Sequence, residues 1–428
     1  MTQNSELKTQ NFKKDPYAAL RIPDFSLYIS ARFVMTIAMQ IQTAMIGWQV
    51  YDLTRDPLSI GYIGLAEALP ALSISLYAGH IADKMSRKKI ILFCFSAYFI
   101  FAFGLLLLNT DFFRQDLFNN NPLRIVNAMY AIIFLTGVAR GFSGPAFAAF
   151  RAQLTPREIF ANASAWASTS WQTGAVLGPA LMGIIFASFG ALPTYGVVCT
   201  LTLVSVTAIS FIAPKAIPQM TEGESIYERL TSGVRFVFKN QILVGALSLD
   251  LFAVLFGGAV ALLPVFARDV LHVGPVGFGY LRAAPAFGAV FMALFLAFKP
   301  PVENAGRNLL FCVAGFGVCM IVFALSKSFA LSLSVLALSG ALDSVSVVIR
   351  STIVQMLTPE SMMGRVSAVN TMFIGSSNEI GQFESGIAAK LLGTVPSVVF
   401  GGIMTLVVVG VVTATAPKIR NLHLNKID

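Results

Sequence analysis

Gly79-His80-Ile81-Ala82-Asp83-Lys84-Met85-Ser86-Arg87-Lys88-Lys89 is the stretch on which the fold turns. It crowds Asp83 and four basic residues into a few positions, with long apolar runs at 58–81 and 90–109 on either side. A helix needs about 20 apolar residues to cross the hydrocarbon core of a bilayer. Two such runs joined by a short charged turn predict a helical hairpin in a membrane. Working outward, ten further runs of the same kind lie near 25–51, 124–147, 159–190, 192–213, 241–270, 277–298, 308–327, 329–354, 365–393 and 395–416. Lipid offers no partner to a bare backbone amide, so the spans are expected to be helices. A β-barrel would show alternating segments of about ten residues, and none is seen.

Composition agrees. Of 428 residues, 56% are hydrophobic and 12% charged, against about 25% charged in soluble domains. Disorder and collagen are excluded, and a soluble enzyme or nucleic-acid binder is disfavoured. The net charge of +9 is read as a topology signal and not as a nucleic-acid footprint. Cys94, Cys199, Cys312 and Cys319 sit in apolar runs without a C-x-x-C pair, and His80, His272 and His423 are scattered. No metal site and no cofactor are expected. The polar stretch 1–24 contains no cleavable signal, which leaves insertion to the first span.

With the N-terminus placed inside, 20 of the 30 Lys and Arg fall on the cytoplasmic side and 5 on the other. Both termini are therefore expected in the cytoplasm of a multi-pass inner-membrane protein. The stretch 214–240 is polar and amphipathic and is too short to fold alone. It reads as a linker between a six-helix bundle at 1–213 and a second at 241–428. The halves repeat. Leu154-Thr155-Pro156 and Leu357-Thr358-Pro359 lie 203 residues apart, and Gly137/Gly340, Gly178/Gly381 and Gly183/Gly386 keep that offset. A second offset of 218 pairs Gly61-Tyr62 with Gly279-Tyr280. A repeat held over several sites implies two pseudo-symmetric bundles, a plan used by secondary transporters.

The opening stretch resembles the signature loop of the major facilitator superfamily, with Ser86 in place of its second Gly. The resemblance makes Gly79, Asp83, Arg87 and Lys88 a conformational latch, made in one state and broken in the other. In the fourth span, Arg140-Gly141-Phe142-Ser143-Gly144 is similar to the R-x-x-q-G motif of proton-driven members, with Ser143 for Gln. In the fifth, Gly174-Ala175-Val176-Leu177-Gly178-Pro179-Ala180-Leu181-Met182-Gly183 resembles the exporter motif G-x-x-x-G-P-x-x-G-G, with Met182 for one Gly. Gly174, Gly178 and Gly183 would allow close helix approach, and Pro179 a bend. Together with Ser30-Ala31-Arg32-Phe33, these motifs look like the drug, macrolide and siderophore exporter branch. The resemblance implies a fold of twelve transmembrane helices.

A charge inside a span costs roughly several kcal/mol unless it is partnered or faces a cavity. Glu67, Arg140, Asp250 and Asp343 are the expected proton-coupling residues. Glu67 lies about 12 Å into its span at 1.5 Å per residue and is the preferred proton carrier, because a carboxyl can load and release a proton as its surroundings change. Arg140 is expected to bias that switch. Arg32 and Asp250 correspond at the 218 offset, as Arg140 and Asp343 do at 203, which suggests charge pairing across the halves. Glu384 is a further acid within a span, whereas Arg350 and Lys390 read as snorkelling side chains. An aromatic and amide-rich substrate cavity is expected from Arg32, Gln40, Trp48, Trp166, Trp171, Gln172, Asn370, Asn378 and Glu379.

The function expected is proton-coupled export of an amphipathic organic compound by alternating access. Uptake, or movement of lipid or lysolipid, is the alternative within transport. A membrane enzyme would need a clustered catalytic set and a channel a filter loop, and the sequence displays neither. Expected partners are a small-molecule substrate, protons and the lipid bilayer, for a monomer.

Overall fold

The computed structural model describes residues 15–215, 226–298, 304–359, 362–420 and 422. Among them there is no strand, and the chain is a succession of long helices. They are α1 Pro23–Thr54, α2 Pro57–Lys84, α3 Arg87–Leu107, α4 Pro122–Leu154, α5 Phe160–Phe189, α6 Ala191–Ser210, α7 Gln241–Phe256, α8 Gly274–Phe298, α9 Ala305–Leu325, α10 Phe329–Leu357, α11 Met363–Leu392 and α12 Thr394–Thr415. Short turns carry α7 on, so its apolar span runs Gln241–Val270. Eleven of these helices are long and apolar enough to cross a membrane. The exception is α11, which has 30 residues and a more polar sequence. Of the expected linker, Ile226–Lys239 is an amphipathic helix.

Local chemistry sets the helix starts and stops. Asn121 caps α4, its Oδ1 accepting from the Leu123 and Arg124 amides at 3.0 and 3.4 Å, with Pro122 next in the chain. Asn240 does the same for α7 at 3.0 and 3.3 Å. Such caps satisfy amides that the first turn leaves without a helical partner. Gly190 ends α5 at φ 81° and Gly393 ends α11 at φ 92°. Only glycine adopts such angles without strain. The two lie 203 residues apart, so the repeat extends to its turns.

The chain divides into two compact units, 1–45 with 69–221 and 46–68 with 222–428. The end of α1 and the first half of α2 group with the C-terminal helices, through contacts given below. In the first unit α3 packs along α4 and α6, around a core that includes Phe25, Tyr28, Ile91, Phe95 and Phe150. The Tyr28 hydroxyl is buried there and donates to the Phe147 carbonyl at 3.1 Å. In the second, α8 and α9 pack on α10, and α12 packs on α9 and α7. Its core includes Leu243, Leu247, Ile349, Ile353 and Val366.

Glycine lets these helices touch. A Cβ on Gly174 would meet Thr36 Cγ2 at 2.7 Å, and one on Gly178 would meet Gln40 Cβ and the Ile37 carbonyl, the latter at 3.2 Å. In the second unit a Cβ on Gly381 would meet the Leu255 carbonyl of α7 at 3.0 Å. Ile37 and Leu255 are related by the 218 offset, as Gly178 and Gly381 are by 203. The α5–α1 contact and the α11–α7 contact are thus one packing solution used twice. Close approach of this kind replaces the hydrophobic drive that is missing between helices in lipid. Gly340 of α10 lies directly against the Pro285 backbone of α8. Gly340→Val is expected to wedge α8 from α10 and abolish monodisperse protein on size-exclusion chromatography in detergent. Gly410→Val, with open space around the site, is expected to elute as wild type.

Candidate functional site

The second unit encloses a cavity of about 240 Å³ between α7, α8, α9, α10 and α11. Its lining is mostly apolar, with Phe316 and glycines, but Asp250, Arg282, Asp343, Asn378 and Gln382 all reach it. Asp250 of α7 is paired with Arg350 of α10, and both are almost wholly buried, at 6% and 7% exposure. Arg350 therefore does not snorkel. Its guanidinium is held inside because a buried carboxylate faces it, and each charge removes most of the other's desolvation penalty. Asp343 lies seven residues earlier on α10, on the cavity wall, and forms no ion pair among the described residues. Asn378 turns its side-chain amide onto the Ile374 carbonyl at 2.8 Å, within α11. Glu379 is buried beside it, whereas Glu384 is half-buried.

Arg282 of α8 is the residue that the sequence reading missed. It lines the cavity and lies within electrostatic reach of Glu67 of α2. An arginine eight residues into an apolar helix was a usable signal, since such a charge should face a cavity or a carboxylate. Glu67 itself is half-buried. The glycine one turn before it, Gly64, is packed against the Glu379 carbonyl and the Gln382 side chain of α11.

The segment 46–68 is tied to the second unit by more than glycine packing. Asp52 pairs with Arg268, the Tyr51 hydroxyl donates to Asp269, and Lys390 Nζ meets Asp56 Oδ2 at 2.6 Å. Trp48 stacks at a tilt on Phe278 with ring centroids 5.4 Å apart, and the Arg268 guanidinium lies 5.9 Å from the Trp48 ring centre. Gly61 and Gly386 meet backbone to backbone. Lys390, read as a snorkelling side chain, is part of this cluster.

The remaining candidates belong to the first unit or stand apart. Arg32 lies 4.9 Å from the Phe147 ring centre and 3.5 Å from the Tyr28 hydroxyl. Its repeat mate Asp250 takes Arg350 as its partner, from its own half of the sequence. Gln40 flanks Gly178. Trp166 donates from Nε1 to the Pro16 carbonyl at 3.0 Å, and Asn162 donates to the same oxygen at 2.7 Å. Trp166 thus anchors the segment before α1. Trp171 is half exposed at 50%, while Gln172 and Asn370 are half-buried. Arg140 is exposed and has an interaction partner. Its carbonyl accepts from Ser143 Oγ at 3.1 Å, and that hydroxyl also lies 3.1 Å from the Tyr98 hydroxyl. Pro179 and Gly183 are buried in α5. Of the latch, Gly79 and Asp83 lie in the last turns of α2, and their side chains fall outside the described ones. Arg87 Nη1 donates to the Ala149 carbonyl of α4 at 3.1 Å and Lys88 Nζ to the Ser210 carbonyl of α6 at 2.8 Å. Lys88 thus caps the C-terminus of α6, where cations are favoured, and Arg87 ties α3 to the last turns of α4. Among the described residues no group of His, Cys, Asp and Glu is arranged to hold a metal.

Comparison with known proteins gives this arrangement its class. Residues 14–426 match the family described as transmembrane secretion effector. The chain belongs to that family of the major facilitator superfamily, and it is a multi-pass membrane transporter. It is similar to the enterobactin exporter EntS of Shigella flexneri, 26% identical over 391 residues that make up 90% of each chain. The same exporter of Citrobacter koseri is 25% identical over 393 residues. Among solved structures, a POT family transporter superposes with a TM-score of 0.71 at 12% identity, covering 92% of this chain and 96% of that one. A bacterial homologue of the iron transporter ferroportin reaches 0.69 at 14% identity, covering 94% and 99%. These likenesses establish the fold.

Removing one member of a buried pair leaves the other charge stranded. Asp250→Asn is expected to lower stability by about 3–5 kcal/mol, and Asp250→Asn with Arg350→Gln by clearly less. Thermal melting of the purified variants in detergent measures both. Lys390→Ala, at a half-exposed pair, is expected to cost about 1 kcal/mol or less.

Proposed function

We propose that this chain exports a siderophore in exchange for protons, by alternating access across the inner membrane. One observation carries the reading: exporters named for the siderophore enterobactin align with this chain over 90% of its length and of theirs. The close fit of Gly174 and Gly178 on α1 supports it, because that glycine pattern is the one associated with exporters. In this reading α11 is the twelfth crossing and both termini face the cytoplasm. The protein acts as a monomer in the lipid bilayer, built as bundles 1–213 and 241–428 with 214–240 between them. It uses no cofactor and carries out no catalysis.

Glu67 carries the proton, and Arg140, Asp250 and Asp343 set the charge balance around the coupling step. Asp343 is suited to this part because its carboxyl lines the cavity without an ion-pair partner among the described residues. Arg32, Gln40, Trp48, Trp166, Trp171, Gln172, Asn370, Asn378 and Glu379 remain the proposed substrate contacts, with Asn378 supported by its place on the cavity wall. The latch comprises Gly79, Asp83, Arg87 and Lys88.

Transport into proteoliposomes with an acidic lumen tests the proposal. Enterobactin is expected to accumulate in the lumen, and dissipating the pH gradient is expected to stop it. Glu67→Gln is expected to lower the gradient-driven rate at least about tenfold, roughly a 1.4 kcal/mol effect, with protein yield unchanged. Accumulation against the opposite gradient would indicate symport and defeat the export reading. Undiminished driven transport by Glu67→Gln would remove Glu67 from its role.

A further inference from the structure

We propose that Arg282 of α8 is the counter-ion of Glu67, and that this pair links proton loading on α2 to the charged cavity of the second unit. The inference rests on the reading of Glu67 as the proton carrier and extends it to a residue that no motif marks. Three observations place the pair. Gly61 and Gly64 lie on one face of α2 and are pressed on α11, at Gly386 and at Gln382 respectively. Glu67 follows Gly64 by three residues, which on a helix is the same face one turn later. Gln382 and Arg282 line one cavity, so the face that carries Glu67 is directed toward the helices that present Arg282. The charge of Glu67 is also the one felt by Arg282.

Of the surrounding acids, Glu67 is the one whose charge acts on Arg282. Asp250 of α7 is already engaged by Arg350 of α10. Asp343 of α10 faces the same cavity, and Glu379 of α11 is buried beside the Gly64 contact. On the remaining acidic position of α11, Glu384 is half-buried. Asp56 of α2 is engaged by Lys390. When Glu67 takes up a proton, Arg282 loses its partner while still in low-dielectric surroundings, and an uncompensated cation there is unfavourable. The acids in reach of a cavity-lining guanidinium are then Asp343 across the cavity, or an anionic group of a bound ligand. A swing of Arg282 toward the cavity would loosen the hold of α2 on the second unit. The Glu67 carboxylate and an anionic ligand would in this way compete for one cation, which ties the protonation state of α2 to occupancy of the cavity.

Two measurements on the full-length protein test this. In detergent, Glu67→Gln and Arg282→Gln are each expected to lower the melting temperature by about 3 °C or more, and the double variant to recover most of the loss. Additive losses would overturn the pairing. In proteoliposomes with enterobactin as the probe, Arg282→Gln is expected to reduce pH-driven accumulation at least tenfold more than it reduces gradient-free exchange. Arg282→Lys, which keeps the charge, is expected to restore part of it. A purely structural arginine would depress both rates together, and that result would overturn the coupling role. If wild type moves no enterobactin while the melting cycle shows recovery, the pairing stands and the export reading is what fails.

Discussion

A charge in an apolar helix must find an opposite charge or water, and this requirement organises the second unit. Asp250 of α7 and Arg350 of α10 meet in the interior. Their pairing fixes how α7 and α10 face each other, since neither group can turn away to solvent. Around that pair the chain leaves a cavity whose wall includes Asp343 and Arg282. The polar groups put charge on the wall of that cavity, where a charge without a partner is costly.

Glycine sets a second condition. Between helices in lipid there is little hydrophobic drive, so contact depends on shape. Gly178 against Ile37 and Gly381 against Leu255 show the same solution in both halves. The same device joins α2 to α11 at Gly61 and Gly386. There it holds a segment of the N-terminal sequence among C-terminal helices, with Asp52, Tyr51 and Asp56 adding polar ties to Arg268, Asp269 and Lys390. These ties are partly exposed and individually weak.

Much of this was legible in the residues. The charged turn at 79–89, the long apolar runs and the offsets of 203 and 218 pointed to a helical repeat protein of the membrane. The motifs in α4 and α5 pointed to its superfamily. Individual roles were harder to read. Arg350 looked like an interfacial side chain because it lies near the end of its span, yet a partner 100 residues away draws it inside. Trp166 looked like a cavity aromatic, but it binds the Pro16 carbonyl. Nothing adjacent to Arg282 in the chain resembles a motif, so only its place in an apolar helix marks it.

The sequence by itself determined that the chain is helical, lies in a bilayer and repeats once. Those properties follow from local quantities: the length of an apolar run, the placement of Lys and Arg, and the spacing of glycines along one helix. Only the tertiary structure decided which charges meet. Pairing energy weakens with distance, and helix packing sets which side chains come close, bringing together residues separated by 334 positions. Asp250 with Arg350, Asp56 with Lys390 and the approach of Glu67 to Arg282 are therefore properties of the packed helices and not of any one of them.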